Sequence, residues 1–495
     1  MDINSKENSE SNEDYMLEME LGKEEQDLEE GLYEKIMGKV TFSRNRVRII
    51  ICMIFIFIAD GMEMTIFNFI IKPFGDYFEL EESDIEIQIT TSALFLGIAI
   101  GSGTASLITS KLGRVLSIKI SNIIFFISHL LMSLWLSLPV FIICRSIVGL
   151  TLGIIIPIFM NIYGEYLPVQ YRGFLLMVAW SFYGIGQLIT NLIGLAVMSK
   201  LESERLKLFL LILSILPFLS LIGSLFFLSD SPRGLLLSKN ILDNRNSINA
   251  LNEINKEILT EEEEKKLKNE VDTAKKISDS FTFKDILKEM FSPELKKTTI
   301  LMVFIFIYLG YNAFGIYSIS SYFLDYLDEK ENGKKNDESE EKETPAKEII
   351  INQIMYAVAE FAANILGGFF GEIKKLGRKG GITIFTILAA IFTILGIFKK
   401  ILFEVTSPIS SGCTTIYVNL AMDYVVELYP TKIRDTSTGL LFMIYRVSSF
   451  ICNYISMGFY GVNRYIPYII YAICAILSFL FTLALPYEMA GKSLK

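Results

Sequence analysis

Twelve apolar segments of the chain are each long enough to cross a lipid bilayer. A transmembrane helix needs about 20 predominantly apolar residues, and 52% of the 495 residues are hydrophobic. The segments are Ile49–Ile71, Ile87–Thr109, Val115–Leu136, Val140–Gly164, Phe174–Met198, Lys207–Leu228, Thr298–Leu324, Ile349–Phe370, Gly381–Phe398, Ile401–Val426, Leu440–Phe459 and Tyr465–Leu485. This pattern predicts an all-α membrane protein with twelve transmembrane helices.

Acidic residues are concentrated at the N-terminus. Residues 1–30 contain twelve acidic residues and two lysines, a balance of −10, whereas the whole chain has a net charge of −9. Such a segment cannot bury enough apolar surface to fold alone, so we expect a disordered tail over residues 1–45. The acidic balance and the spans exclude a nucleic-acid-binding protein.

Basic residues cluster in alternate connections between the spans, which predicts the orientation. Cytoplasmic loops carry an excess of Lys and Arg. The basic set comprises Lys39, Arg44, Arg46, Arg48, Lys111, Arg114, Lys119, Arg172, Lys374, Lys375, Arg378, Lys379, Lys432 and Arg434, whereas Lys399 and Lys400 are exceptions. Both termini are therefore predicted to be cytoplasmic. We expect the plasma membrane, with an internal vesicle or organelle membrane as the alternative.

Two polar stretches divide the spans. Residues 230–297 have Ile, Leu and Val at helical spacing among charges, which predicts a cytoplasmic central loop with short helices. Residues 326–347 are polar and predict a mobile external loop. The remaining chain divides into an N-terminal six-helix half at 46–229, a C-terminal six-helix half at 298–485 and a cytoplasmic tail at 486–495.

Two short motifs recur in the second half of the chain. The sequence SKLGRV at 110–115 returns as KKLGRK at 374–379, an offset of 264. A second motif returns with an offset of 262 at each of three pairs, which are Glu165 and Glu427, Pro168 and Pro430, and Arg172 and Arg434. Two motifs at nearly one offset predict two pseudo-symmetric halves, a duplicated transporter fold.

The repeated motifs place charged residues at the cytoplasmic corners. An arginine that follows a helix end can bond the last carbonyls and a neighbouring acid. We therefore predict that Glu165 pairs with Arg172, and Glu427 with Arg434, and that these pairs close the cytoplasmic side in one state. Arg114 and Arg378 are the other predicted gating residues. The alternative is that these charges only fix the topology.

Several motifs together resemble the major facilitator superfamily over nearly all of residues 45–495. The segment CRSIVGLTLGIIIPIFMNIYGEYLPVQYRG is similar to the fourth-helix signature, SDSPRGLL to the motif after the sixth helix, and LPYEMAGKSL to the C-terminal motif. ADGMEM, YLGYNAFGIY and TSTGLLFMIYRVSSFI resemble the branch of synaptic vesicle glycoprotein two relatives, organic ion transporters and sugar porters. The resemblance implies solute transport by alternating access.

Ionisable residues inside the spans are the strongest site candidates, because charges in a membrane are costly. Asp60 and Glu63 share a helix face in the first span, and Arg145 lies at a matching depth in the fourth. We expect Arg145 to pair with one of these acids, either as a fixed salt bridge or as part of a proton-exchanging site. Glu360 and Arg446 are the corresponding residues of the second half. The resemblance implies that Arg446 serves anionic substrate or ion coupling.

Polar and aromatic residues in the spans are predicted to complete a solute-binding site. Spacings of 3, 4 and 4 place one group on a single face of the fifth helix. The candidates are Trp180, Tyr183, Gln187 and Asn191 on that helix, Tyr311 and Asn312 on the seventh, and Tyr417 and Asn419 on the tenth. Such groups suit a small amphipathic solute, although each of them could instead serve packing.

The sequence favours a transporter over an enzyme, since it has no hydrolase triad, phosphate loop or metal motif. We expect no cofactor and no metal. Mixed charges in both halves favour an organic anion or vitamin-type carboxylate, of the pantothenate or nicotinate type, carried with H⁺ by a monomer in the bilayer. The alternatives are an organic cation, a sugar, or a non-transporting protein of vesicles or receptors.

Overall fold

The computed structural model describes residues 31–80, 84–135, 137–198, 203–236, 240–279, 283–332, 343–373, 377–429 and 431–486. Within these ranges the regular structure consists of eighteen α-helices and two short 3-10 turns. The helices are α1 (Leu32–Met37), α2 (Arg44–Phe78), α3 (Ile85–Leu112), α4 (Arg114–Leu134), α5 (Leu138–Tyr166), α6 (Arg172–Val197), α7 (Leu206–Leu213), α8 (Ile215–Phe226), α9 (Pro232–Leu236), α10 (Ile241–Asn255), α11 (Glu261–Asp279), α12 (Phe283–Met290), α13 (Lys296–Asn332), α14 (Glu343–Gly371), α15 (Gly377–Gly396), α16 (Lys400–Leu428), α17 (Thr431–Val462) and α18 (Ile466–Leu483). Residues 1–30, residues 333–342 of the predicted external loop and residues 487–495 of the C-terminal tail lie outside the described residues.

Each predicted span falls on a helix or, for the sixth span, on the consecutive pair α7 and α8. Eleven helices of the described chain are long and apolar enough to cross a membrane. The remaining predicted span lies in α16, which has 29 residues. Buried hydroxyl residues, including Ser407, Ser410, Ser411 and Thr414, lower the hydropathy of this helix. Because these hydroxyls are buried and several bond to neighbouring protein groups, α16 is an interior helix.

The described chain forms two compact units. One unit, called the cap here, comprises the described residues up to Val47 together with Glu165–Arg172 and Asp230–Ile277. The other, the helical body, comprises Arg48–Gly164, Gly173–Ser229 and the chain from Ser278 onward. The described residues that precede α2 therefore form part of the cap, whereas the sequence predicts a disordered tail up to residue 45.

The cap has its own apolar core and a central arginine. Tyr33, Ile36 and Met37 of α1 pack with the buried apolar side chains of α10 and α11. Arg46 donates hydrogen bonds to the backbone carbonyls of Met37, Lys39, Thr41 and Tyr166, at 2.6–3.1 Å. The guanidinium is a rigid fork of five donors, so one side chain joins two separate segments of the cap.

Glycines allow the helices of the body to approach closely around its buried charges. A Cβ atom at Gly61 of α2 would overlap the backbone carbonyl of Tyr183 in α6, and one at Gly186 would overlap that of Ile58. Small residues at such crossings let helix backbones meet. The crossing of α2 and α6 therefore brings Gly61, the residue after Asp60, against the backbone of Tyr183.

Candidate functional site

Among the described residues of the body, seven Asp, Glu, His and Arg side chains are buried. Arg378 lies at the start of α15, and the other six lie deeper in the helices: Asp60, Glu63, His129, Arg145, Glu360 and Arg446. A buried charge is tolerated only where other groups compensate the loss of water. The contacts of these six residues therefore distinguish charges that stabilise the fold from charges that are available to a ligand.

Glu63 is the centre of a closed charge cluster. Its Oε2 atom lies 2.5 Å from Nη1 of Arg145, and Nη2 of Arg145 donates to the backbone carbonyl of Glu63 at 3.0 Å. Its Oε1 atom lies 2.6 Å from Nδ1 of His129, whose Nε2 faces the carbonyl of Leu210 at 3.3 Å. All three side chains are 0% exposed. The cluster joins α2, α4, α5 and α7, so it fixes the packing of the first, third, fourth and sixth spans.

Asp60 lies one helical turn before Glu63 but has a different environment. Its side chain is 1% exposed, and its Oδ2 atom has no hydrogen-bond partner. The charges that act on it are those of Arg446 and Glu63. Among the described residues no ion pair reaches this carboxylate. Asp60 is therefore an acid with unused binding capacity.

Arg446 of α17 is held in an aromatic cage. Its guanidinium carbon lies 4.9 Å from the ring centroid of Phe442, 5.0 Å from that of Tyr445 and 5.4 Å from that of Phe314. The Nε and Nη1 atoms are buried without hydrogen-bond partners. Aromatic faces stabilise a cation without using its N–H donors. The cage therefore keeps a buried cation whose donors remain available to an anion.

Glu360 of α14 is the third buried acid, and its bonding partners among the described residues are neutral groups. Ser411 of α16 donates to its Oε1 atom at 2.7 Å, and the side chain of Gln187 on α6 also bonds to it. Tyr445 lies close enough to interact electrostatically with Glu360, Asp60 and Arg446. Asp60, Glu360 and Arg446 thus share Tyr445 as a neighbour.

The aromatic residues of α6 pack against α2 one helical turn before Asp60. Trp180 meets Phe57 edge to face at 4.9 Å between centroids, and Phe57 precedes Asp60 by three residues on α2. Tyr183 lies 6.4 Å from Trp180 by ring centroids. Both α6 side chains are half-buried. The predicted face of the fifth helix therefore includes Gln187, which contacts Glu360. It also includes the rings of Trp180 and Tyr183, and Trp180 contacts α2 one turn before Asp60.

Several predicted polar residues bind other protein groups. Asn419 donates to Asn364 at 2.6 Å, and Asn364 donates to the carbonyl of Trp180 at 3.2 Å. Asn312 donates to the hydroxyl of Tyr417 at 3.2 Å. These bonds link α6, α14 and α16, and α13 with α16, so Asn312, Tyr417 and Asn419 take part in helix packing.

Tyr311 lies in an apolar cluster, with its ring centroid 5.5 Å from that of Tyr471. This tyrosine belongs to the interface between α13 and α18.

A second polar group, not identified from the sequence, joins the two halves near the start of α14. Gln353 accepts a hydrogen bond from Asn68 at 3.0 Å and donates to Ser320 at 3.2 Å. Its backbone carbonyl accepts from Asn191 at 3.1 Å. We call Asn68, Asn191, Ser320 and Gln353 the amide junction. An intramembrane glutamine next to Asn352 is the sequence signal that could have revealed it.

The predicted corner residues differ in their contacts. In the cap, Glu165 accepts a hydrogen bond from the hydroxyl of Ser231, and the buried Nε of Arg172 has no partner. In the body, Arg378 packs against Gly173 and lies 3.8 Å from Glu372, and Arg114 begins α4. The side chains of Glu427 and Arg434 lie outside the described part. The gating role of these corners stays a prediction.

Within the described residues, no group of three or more His, Cys, Asp and Glu side chains is arranged to hold a metal ion. Glu63, His129 and Arg145 lie among the first six spans, whereas Asp60, Glu360 and Arg446 come from both halves of the chain and share Tyr445 as a neighbour. This arrangement defines a polytopic membrane protein with an intramembrane charged site.

Comparisons with known proteins assign the class. The chain is similar to the major facilitator superfamily proton:xylose symporter XylE, with a TM-score of 0.71, 15% identity, and coverage of 91% of this chain and 97% of that one. This likeness confirms the predicted fold of twelve transmembrane helices in two pseudo-symmetric halves.

Residues 57–495 match the model of the family "Sugar (and other) transporter", and the chain belongs to that family. It is 25% identical over 478 residues to "Organic cation/carnitine transporter 7" of Arabidopsis thaliana, with coverage of 88% of this chain and 90% of the relative. It is 23% identical over 479 residues to "Synaptic vesicle 2-related protein" of Rattus norvegicus, with coverage of 94% and 82%. The protein is therefore a multi-pass membrane transporter and not an enzyme, as the sequence predicted.

Proposed function

We propose that this protein is a secondary active transporter of a small organic solute that carries a carboxylate. The solute class is an organic anion or vitamin-type carboxylate, of the pantothenate or nicotinate type, and the protein acts as a monomer by proton symport. The observation that carries this proposal is Arg446, a buried cation with two free N–H-bearing atoms. A guanidinium binds a carboxylate through paired, charge-assisted hydrogen bonds.

Alternating access requires contacts between the halves that can break and re-form. Asn68 and Gln353 meet at one end of the body, and Ser92 bonds to Tyr454 at 2.9 Å between α3 and α17. These are neutral hydrogen bonds, each with a net contribution of about 0.5–1.5 kcal/mol. Contacts of this strength support a reversible separation of the halves.

Proton coupling requires an acid that changes protonation state during the cycle. Glu63 is held by both Arg145 and His129, so it is the least suited of the three acids. Asp60 and Glu360 have no cation within ion-pair distance among the described residues. We therefore assign the coupled proton to one of these two acids.

The second candidate function is transport of an organic cation, because the buried charges without an ion-pair partner among the described residues are two acids, Asp60 and Glu360, and one arginine, Arg446. The Arabidopsis relative has such a cargo in its name. A sugar has no charge to match these residues. A non-transporting role in vesicles is the remaining alternative, given the synaptic-vesicle relative. The plasma membrane stays our proposed location, with a vesicle membrane as the alternative.

The test is uptake of radiolabelled solutes into liposomes that contain the purified protein. We expect accumulation of a carboxylate solute under an inward proton gradient, and loss of accumulation with a protonophore. Asp60→Asn and Glu63→Gln are measured beside the wild type. If no carboxylate solute is taken up, transport of this class is wrong. Uptake that ignores both the gradient and the protonophore contradicts proton symport.

A further inference from the structure

We propose that the solute carries a positive group in addition to its carboxylate, with Asp60 binding the positive group and Arg446 the carboxylate. This inference rests on the function proposed above and specifies its substrate class as bipolar. It assigns Asp60 to solute recognition, which leaves Glu360 as the proton-exchanging acid.

The first argument is that these two opposite charges are buried without direct partners. Asp60 is 1% exposed and Arg446 5% exposed, and both have polar atoms that make no hydrogen bond. The charges interact electrostatically, yet no ion pair joins them in the described structure. A buried charge is costly unless hydrogen bonds or an opposite charge compensate the loss of water, and the aromatic cage of Arg446 leaves its N–H donors unused. A solute with a charge at each end supplies both missing partners at once.

The second argument is that the neighbouring charges are already used. Arg145 bonds to Glu63 through Nη1 and Nη2, so it is not available to Asp60. Glu360 is bonded by Ser411 and Gln187. Asp60 therefore remains as the acid whose free oxygen can accept from a cationic group.

The third argument is that an aromatic surface packs against α2 one helical turn before Asp60. Trp180 contacts Phe57, one turn away on α2, and Gly61 brings α2 against the backbone of Tyr183. An ammonium group is stabilised by the face of an aromatic ring within about 6 Å. Trp180 and Tyr183 thus provide a wall of suitable chemistry for the positive end of the solute.

A competing explanation is that Asp60 and Arg446 only attract each other and so draw the two halves together. In that case the Asp60→Asn variant loses stability but keeps the same ligand preference. Under the bipolar proposal it loses the preference for a positive group. The ligand selectivity of Asp60→Asn therefore separates the two explanations even if this variant is less stable than the wild type.

The experiment measures thermal stabilisation of the full-length protein, purified in detergent, by ω-amino acids of two to six carbons. Each is compared with the monocarboxylate and the alkylamine of the same length. At one or more chain lengths, we expect the amino acid to give half of its maximal thermal stabilisation at a concentration at least about tenfold lower than the monocarboxylate or the alkylamine of that length. One added charge-assisted bond predicts a difference of this size. Asp60→Asn should abolish the advantage over the monocarboxylate, and Arg446→Gln the advantage over the amine.

Glu404→Gln, on a half-buried acid of α16, is the matched control and should keep the wild-type preference. Equal stabilisation by monocarboxylates at every length, absence of stabilisation by the whole series, or an unchanged preference in Asp60→Asn overturns the inference. Because binding is measured without a gradient, its result is separate from transport. An amino acid that binds but does not accumulate in liposomes contradicts the transport proposal and leaves the bipolar site intact.

Discussion

Glu63 and Arg145 form a 2.5 Å ion pair with both side chains fully buried, whereas Asp60, three residues earlier, has no such partner in the described part of the chain. The sequence placed both acids on one helix face and left the partner of Arg145 open between them. In the structure, Arg145 pairs with Glu63. His129 of α4 approaches the same carboxylate. The two acids of one short stretch therefore have different environments, since Glu63 is ion-paired and Asp60 has no ion-pair partner among the described residues.

The Glu63–Arg145 pair predicts a large coupling energy. Arg145→Ala leaves a buried carboxylate with one partner fewer, so the free energy of unfolding should fall by about 3–5 kcal/mol. The double variant with Glu63→Gln should be less destabilised than the sum of the single variants. Thermal unfolding in detergent measures the cycle. Simple additivity contradicts a direct pair, and the cycle with Asp60→Asn is the control with the smaller coupling.

Arg446→Lys tests whether the guanidinium binds the solute. Lysine keeps the charge but loses the planar fork and the stacking on Phe442 and Tyr445. We expect at least about a tenfold rise in the KM of uptake, or loss of uptake, as the loss of a bidentate bond implies, while the protein still reaches its membrane. Arg245→Lys, on an exposed position of α10, is the matched control. Wild-type uptake kinetics in Arg446→Lys exclude contact with the solute.

The fold was predictable because apolar runs of bilayer length constrain a chain so strongly. The site was predictable only in part. Depth along each helix identified Arg446, but its cage includes Phe314, which is more than 100 residues away in sequence and is brought close by the packing of α13 on α17. The bond between His129 and Glu63 likewise depends on the approach of α4 to α2. The pattern of a single sequence indicates which face of a helix is buried, but not which other helix packs against that face.

The hydrogen bonds of the amide junction predict that Gln353 stabilises the contact between the two halves. Gln353→Ala leaves the side-chain amide of Asn68 without its acceptor, so unfolding should become easier by about 1–3 kcal/mol. Asn352→Ala is the matched control, because this neighbouring buried amide has an Nδ2 atom without a partner. Thermal unfolding of both variants is the measurement. An equal loss of stability in the two variants contradicts the junction.

Arg46 should determine the integrity of the cap. Arg46→Ala removes charge-assisted bonds to four backbone carbonyls, and each such bond contributes about 1.5–3 kcal/mol. We expect limited proteolysis to cut within residues 31–45 much faster than in the wild type. Arg44→Ala is the control, because this exposed residue contacts Glu253 through its backbone N–H rather than its side chain. Equal cutting rates in the two variants contradict the role of Arg46.

Glu360→Gln separates solute binding from proton coupling. Glutamine preserves the size of the side chain and can still accept from Ser411, but it cannot take up or release a proton. If Glu360 carries the coupled proton, the variant should exchange solute across the liposome membrane at equilibrium. It should no longer accumulate solute under an inward proton gradient.

Glu404→Gln should accumulate solute as the wild type does, since it alters an acid of similar chemistry without the contacts of Glu360. The rate of exchange and the steady-state accumulation, measured in the same liposomes, separate the two effects. Accumulation that persists in Glu360→Gln and still responds to the gradient assigns the proton to another acid, and a further loss in Asp60→Asn would then contradict the division of roles between Asp60 and Glu360.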